Sequence, residues 1–157
     1  MWIDDVLDGM QKFFTEEPTV KEHIQSRMYE VAAEHWITNL ATAQKEASPR
    51  AGKWVSYELG GGSDHRLLAG PGSTFQKLFV PINCYALTPR LARELLTRMM
   101  VALKDSGGNA NNYTGTWGGF QVRSARFDLA TIASTFDESF KQAVASGTLT
   151  ITVTDAA

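Results

Sequence analysis

The run Phe75-Gln-Lys-Leu-Phe-Val-Pro-Ile-Asn-Cys-Tyr-Ala-Leu87 continues directly into Thr88-Pro-Arg-Leu-Ala-Arg-Glu-Leu-Leu-Thr-Arg-Met-Met-Val-Ala-Leu103. Thr88 is a good helix N-cap, and Pro89 lies in the first helical turn, where a missing N–H costs least. The second run therefore predicts a helix over residues 89–104. The first run alternates and predicts a strand whose buried face carries Leu78, Val80, Ile82, Cys84 and Ala86.

Composition indicates one globular domain over residues 1–157, with 43% hydrophobic and 20% charged residues. The formal net charge of -2 provides no basic field for phosphates, which argues against nucleic acid as the primary ligand. Cys84 is the single cysteine and is expected to be a small buried apolar residue. The N-terminus carries Asp4, Asp5 and Asp8 where a signal peptide needs basic residues, and no apolar run is long enough to span a membrane. We therefore expect no membrane partner.

Two helices are predicted in an N-terminal helical segment, residues 1–40. Apolar residues recur at helical spacing from Ile3 to Phe14, with aspartates near the positive end of the helix dipole. The sequence at 16–19 breaks this pattern, which resumes at Ile24 and continues to about Leu40. Small and polar residues at 41–53 then predict a linker to the sheet.

The sheet and main helix are predicted within residues 54–154. Strands are expected at 54–59, from 75, at 120–129 and at 148–154, where threonines alternate with apolar residues. Residues 60–74 are predicted to be a long hairpin loop and 105–119 a mobile excursion. The spacing of Phe136, Phe140 and Val144 indicates a short helix or a packed loop. The fold class is therefore α+β, an antiparallel sheet of about four strands packed against one main helix, with N-terminal helices.

No catalytic chemistry is predicted. The glycine runs near residues 60 and 70 lie between two strands, whereas a phosphate loop connects a strand to a helix. His23 and His35 are about 18 Å apart along one predicted helix and cannot share a metal ion, and His65 is isolated beside Asp64. We expect no catalytic residue, no cofactor and no metal, so the chain is predicted not to be an enzyme.

The second face of the strand from residue 75 is more apolar than a solvated face, because Phe75, Phe79 and Tyr85 share it with Lys77. Pro81 removes one donor from the ladder and indicates an edge position. Two explanations stay open. Either another subunit covers this face, or the N-terminal helices of the same chain do.

The residues Phe79-Val-Pro-Ile-Asn-Cys-Tyr-Ala86, after a hairpin and before Thr88-Pro-Arg-Leu-Ala-Arg-Glu-Leu-Leu96, resemble the tail terminator, or tail completion, proteins of tailed bacteriophages. The resemblance covers about residues 54–103, and more loosely 20–29 and the threonine-rich last strand. It implies an α+β subunit that forms a ring, expected to be a hexamer, at the head-proximal end of the tail. Such a ring stops tube growth and joins the tail to the head.

Partners and location follow from the same resemblance. It implies contacts with the tail-tube protein and head-neck proteins, passage of DNA through the lumen without specific binding, and a place in the virion tail or neck after synthesis in the host bacterial cytoplasm. Three alternatives stay open: another neck component such as a head-closure or adaptor protein, a non-viral scaffold domain, and a small cytosolic enzyme or ligand-binding domain that uses residues 60–74 as a lid.

Ring closure requires two different patches on each subunit, and two are predicted. The first is the 60–74 hairpin and the second is the strand face beyond it. The candidate interface residues are Asp64, His65 and Arg66 as polar contacts, Leu67 and Leu68 as apolar contacts, and Phe79 and Tyr85 on the partner face.

Overall fold

The computed structural model describes residues 2–30, 53–66, 74–138 and 142–154. The described helices are α1 (Trp2–Glu16), α2 (Pro18–Ile24) and α3 (Pro89–Ala102). The described strands are β1 (Met28–Glu30), β2 (Trp54–Tyr57), β3 (Gly61–Arg66), β4 (Thr74–Ala86), β5 (Tyr113–Trp117), β6 (Phe120–Asp137) and β7 (Gln142–Thr154). The α+β class is confirmed.

The described strands form one sheet in the order β1-β2-β4-β7-β6-β5, and β3 also pairs with β4. β1 runs parallel to β2, and the other pairs are antiparallel. The sheet is therefore larger than the predicted four strands. The predicted 60–74 loop is wrong for residues 61–66, because β3 pairs with β4 from Gly61–Phe79 to Arg66–Thr74.

The centre of the sheet is the pairing of β4 with β7, which runs from Phe75–Thr154 to Ala86–Ala143 without a bulge. Because side chains alternate along both strands, this register places Val80 opposite Leu149 on the face toward the helices. All five predicted core residues of β4 are buried: Leu78, Val80, Ile82, Cys84 and Ala86.

The edge position inferred from Pro81 is wrong, because β4 is an interior strand with β7 on one side and β2 and β3 on the other. The carbonyl oxygen of Pro81 accepts a hydrogen bond from Glu58 N at 3.3 Å. Since the N and O of one strand residue point to the same side, the missing N–H of Pro81 faces the junction between β2 and β3. The register shifts by one residue at this junction, and pairing resumes where Gly60 N donates to Phe79 O at 2.8 Å.

The main helix begins as predicted. Leu91 N donates to Thr88 Oγ1 at 3.2 Å, and Pro89 lies in the first turn. The buried face of α3 packs on β4, β7 and β6, where Met99 Sδ lies 3.6 Å from Cys84 Sγ. Full burial raises the pKa of the Cys84 thiol, which suits the predicted packing role. The buried residues of α3 are Ala92, Leu95, Leu96, Met99 and Ala102.

The second helix is shorter than predicted, and residues 28–30 form β1 instead. Gln25 has a positive φ (φ 54°, ψ -114°), which lies outside the helical region and ends α2. The Arg27 guanidinium then donates to Lys53 O at 2.9 Å and to His23 O at 3.3 Å, so the chain leaves the helix toward β2. The remainder of the prediction, residues 31–40 with His35, lies outside the described residues.

Helix α1 links the two ends of the sheet. Gln11 Nε2 donates to Met28 O of β1 at 2.6 Å, and Tyr57 of β2 donates to Gln11 Oε1 at 3.2 Å. On the β5 side, the ring of Phe13 lies 5.7 Å from that of Trp117. One helix therefore contacts both β1 and β5, which the strand order places at opposite ends, and the sheet curls around the helices.

The segment after α3 contains several hydrogen bonds, and residues 113–117, predicted as part of the excursion, form β5. Asp105 Oδ1 accepts from Gly107 N and Asn109 N at 2.8 and 2.9 Å. The side-chain amide of Asn111 pairs with the backbone of Phe127 as a neighbouring strand would. Its Nδ2 donates to Phe127 O at 3.1 Å, and its Oδ1 accepts from Phe127 N at 2.8 Å. The segment then enters β5.

Residues 118 and 119 form the two-residue turn from β5 into β6. Gly118 and Gly119 have φ of 61° and 84°, as a type I′ turn requires. Gly9 of α1 approaches this turn closely, and a Cβ at Gly9 would lie 2.7 Å from Gly118 N.

The short helix or packed loop predicted from Phe136, Phe140 and Val144 is wrong. Phe136 lies in β6 and Val144 in β7, and the two strands pair up to Asp137–Gln142. Phe140 lies outside the described residues. The predicted strand at 120–129 is thus longer, as is the predicted last strand.

We expect Asn111→Gly to lower the free energy of unfolding by about 2 kcal/mol, because two hydrogen bonds to Phe127 are lost without backbone strain. Asn111→Ala adds the cost of the positive φ, about 1 kcal/mol. Urea denaturation measures both, with exposed Thr114→Ala as the control. A loss below about 0.5 kcal/mol for Asn111→Gly would contradict the strand-like role.

We expect His23 to make the stability depend on pH. Lys53 Nζ lies 2.8 Å from His23 Nδ1, and burial, followed by the Lys53 charge, lowers the pKa of His23 below 6.5. The unfolded chain then binds this proton first, so the contribution of His23 is present above pH 6.5 and is lost as the pH falls below it. Denaturation at pH 7.5 and 5.5 should show a smaller difference in His23→Gln than in the wild type. Equal differences would exclude this role.

Candidate assembly surface

The sheet has an inner face under the helices and an outer face on the other side. The main core cluster joins buried residues of all three helices to inner-face residues such as Val80 and Leu149. None of the outer-face residues of β4 and β7 whose side chains the structure describes belongs to it. The explanation that the N-terminal helices cover the outer face is therefore wrong for the described parts of α1 and α2. The half-buried outer residues of β7 include Thr148, Thr150, Thr152 and Thr154.

One end of the outer face is an aromatic cluster. The rings of Trp54 and Tyr85 stack at 3.8 Å with an interplanar angle of 2°, and Val144 and Tyr29 complete the cluster. Trp54 Nε1 donates to Gln142 Oε1 at 2.9 Å. Burial raises the pKa of the Tyr85 hydroxyl. Tyr85 is 9% exposed, so it offers little surface to a partner.

Phe79 is the accessible aromatic residue of this face, with 38% of its surface exposed. The register places it between Gly61 of β3 and Thr150 of β7. Gly61 has no side chain and threonine is short, so neither neighbour is large enough to cover the ring. The structure thus separates the two aromatic residues predicted for the interface: Phe79 is open and Tyr85 is packed.

The remaining predicted interface residues are on or beyond β3. The backbone of Asp64, His65 and Arg66 pairs with β4 at Gln76, Phe75 and Thr74. Leu67 and Leu68 lie outside the described residues. The two predicted patches are therefore connected, because β3 and the Phe79 half of β4 form one antiparallel hairpin.

A further exposed surface was missed by the sequence reasoning. β5 pairs with β6 only as far as Ala125, so among the described strands the second half of β6 has a neighbour only on its β7 side. Residues 129–136 are all exposed and contain no charge, and they include Leu129, Ile132 and Phe136. The available signal was the uncharged sequence Leu-Ala-Thr-Ile-Ala-Ser-Thr-Phe itself.

These surfaces carry groups that can form hydrogen bonds, apolar contacts and ion pairs. Hydroxyl groups of the β7 threonines, the ring of Phe79 and the charges of Lys77 and Arg126 lie at outer-face positions of the register. Among the described residues, no group of three or more His, Cys, Asp or Glu side chains is placed to hold a metal ion. No described helix has the length and apolarity needed to cross a membrane.

Comparison with known proteins gives a match by structure. The sequence matches no protein family and no curated protein. The fold is similar to a solved chain described as "Virion of native gene transfer agent (GTA) particle", with a TM-score of 0.57 and 12% sequence identity. The similarity covers 95% of this chain and 97% of that chain. At this identity the common property is the fold, over nearly the whole of both chains.

We expect opposite roles for the two aromatic residues of the outer face. Tyr85→Ser should lower the free energy of unfolding by about 3 kcal/mol, because it removes a buried ring stacked on Trp54. Phe79→Ser should cost less than about 1 kcal/mol, because the ring is largely solvated. Chemical denaturation of both variants measures the difference. Equal losses would mean that Phe79 stabilises the fold and is not available to contact a partner.

Proposed function

We propose that this protein is a structural component of a phage-like virion, and specifically a tail terminator. The observation that carries the proposal is the fold similarity to a chain of a gene transfer agent particle, which extends over 95% of one chain and 97% of the other. Coverage on this scale argues that the whole fold of that subunit is present here. The strand, corner and helix at residues 79–96, which resemble tail terminators, support the finer assignment.

In this role the protein forms a hexameric ring at the head-proximal end of the tail, stops tube growth and joins the tail to the head. Its partners are other copies of itself, the tail-tube protein and head-neck proteins. Its location is the virion, after synthesis in the host bacterial cytoplasm, and its action requires no catalysis, cofactor or metal.

Ring closure requires two different surfaces on each subunit, and the exposed features of this chain satisfy that requirement. We assign the first to the β3–β4 hairpin, with Asp64, His65 and Arg66, the adjoining Leu67 and Leu68, and Phe79. Tyr85 is predicted with them, but it is buried in the aromatic cluster. We therefore assign it a structural role and not a direct contact with another subunit. The second surface lies elsewhere on the subunit.

The charge is also appropriate for a DNA conduit. A net charge of -2 per subunit gives no strong attraction for the phosphate backbone, so DNA passes through the lumen without being held. Lys77 and Arg126 are separated by the threonines of β7 in the register and form no continuous basic track. This is the behaviour required of a ring through which the genome must move.

Another neck component, such as a head-closure or adaptor protein, is the second candidate, because a fold similarity to a virion chain does not distinguish one virion component from another. The lid proposed for an enzyme is less compatible with the structure, since residues 61–66 are a paired strand of the sheet.

The decisive experiment deletes the gene in particle-producing cells and images the products by electron microscopy. A terminator predicts headless tails of irregular, extended length, and a plasmid copy of the gene should restore normal particles. A Phe79→Asp copy should restore them poorly, whereas the matched control Leu87→Asp, at an exposed apolar residue outside the assigned surfaces, should restore them fully. Tails of normal length in the deletion strain, attached to heads, would refute the proposal; normal detached tails beside empty heads would favour a head-closure protein.

A further inference from the structure

The helices of this chain carry opposite charges on their exposed faces. α1 has a net charge of -3, from Asp4, Asp5, Asp8 and Glu16 against Lys12. α3 has a net charge of +2, from Arg90, Arg93 and Arg98 against Glu94. All of these side chains are exposed. Since the whole chain has a charge of only -2, the charge is segregated between two helices and is not a general excess.

The acidic surface consists of Asp4 and Asp8, one turn apart on α1, with Glu30 of β1 beside them. Burial raises the pKa of Glu30, and the nearby charges of Asp4 and Asp8 raise it further. Within the described parts of the chain, neither aspartate forms an ion pair with a cation. A cationic partner would therefore relieve an unfavourable cluster of carboxylates.

The basic surface runs along α3. Arg90, Arg93, Thr97 and Val101 follow one another at helical spacing on the exposed side. Val101 is 44% exposed, and Arg98 is the α3 arginine with a described ion pair, 3.9 Å from Glu94. Arginine next to exposed apolar area is typical of protein interfaces, where the planar guanidinium pairs well with carboxylates.

The two surfaces do not neutralise each other within one chain. α2 packs against both α1 and α3, and no ion pair joins α1 to α3 among the described residues. We propose that a second copy of this chain docks the Asp4 and Asp8 surface of its α1 on the Arg90 and Arg93 surface of α3. The occupant is a second copy because every copy carries the complementary surface, and two different surfaces give a head-to-tail contact that repeats.

This contact uses two different surfaces of each copy, as ring closure requires, and is additional to the contact assigned to the hairpin. It rests on the proposed function for its role in a ring. Its existence is tested on the purified protein alone. Sedimentation velocity at about 50 mM and 500 mM salt should show association that weakens at least about tenfold at the higher salt, because the pairing charges are exposed and screened.

Charge reversal tests which residues meet. Arg90→Glu with Arg93→Glu makes both helices acidic, and Asp4→Lys with Asp8→Lys makes both basic, so each variant alone should associate at least about tenfold more weakly. An equimolar mixture of the two variants should associate again, because each α1 then meets an α3 of opposite charge. The control, Lys104→Glu with Arg123→Glu, makes the same change in net charge as the α3 variant at two exposed positions outside the assigned surfaces, and should associate like the wild type.

The mixture can associate again only if both variants are folded. Recovery therefore shows that the weaker association of each variant alone is not caused by unfolding. If either reversal variant loses its cooperative thermal transition, the neutral pairs Arg90→Gln with Arg93→Gln and Asp4→Asn with Asp8→Asn replace them, and both should still weaken association. A wild-type protein that is monomeric at 50 mM salt, a mixture that does not recover, or a control as weak as the α3 variant overturns the contact. These results leave the terminator proposal standing, since that is tested on particles.

Discussion

The unbroken pairing of β4 with β7 is the constraint on which the rest of the structure depends. Both strands alternate apolar and polar residues, and their register brings the two apolar sets onto the same face. A slip of one residue would place the β7 threonines under α3 and the core residues of β7 in solvent. α3 packs on the inner face of this pair, and α2 packs on α3. α1 packs on α2 and contacts β1 and β5.

The same constraint leaves a second face, and the proposed assembly role rests partly on the properties of that face. Its Tyr85 end is closed by aromatic stacking, whereas its Phe79 end is flanked by glycine and threonine, which do not cover a ring. The exposed apolar residues of β6 and the opposite charges of α1 and α3 lie elsewhere on the subunit. The proposed ring would need several distinct contact surfaces on one small domain, and these exposed features are the candidates for them.

Local signals predicted the elements that depend on local chemistry. Thr88 and Pro89 define the start of α3, and alternation defines β4 and the end of β7. β1 is too short for a pattern, β3 begins with glycines, and Gln25 ends α2 through a backbone conformation that the sequence does not signal. The edge position predicted from Pro81 is wrong, because a missing N–H does not show which neighbouring strand it faces. Phe79 and Tyr85 occupy equivalent positions in the alternating pattern, but their exposure differs. Trp54 stacks on Tyr85 and covers it, and the position of Trp54 depends on the pairing of β2 with β4.

The most direct test of a structural role in the neck is a cryo-electron microscopy map of the intact particles made by cells that carry this gene. We expect density for this fold in a single hexameric ring between the tail tube and the head, with β3–β4 hairpins and oppositely charged helices at the contacts between subunits. A map that places the fold in the capsid shell or along the length of the tail tube, or that contains no copy of it, would contradict a terminator ring.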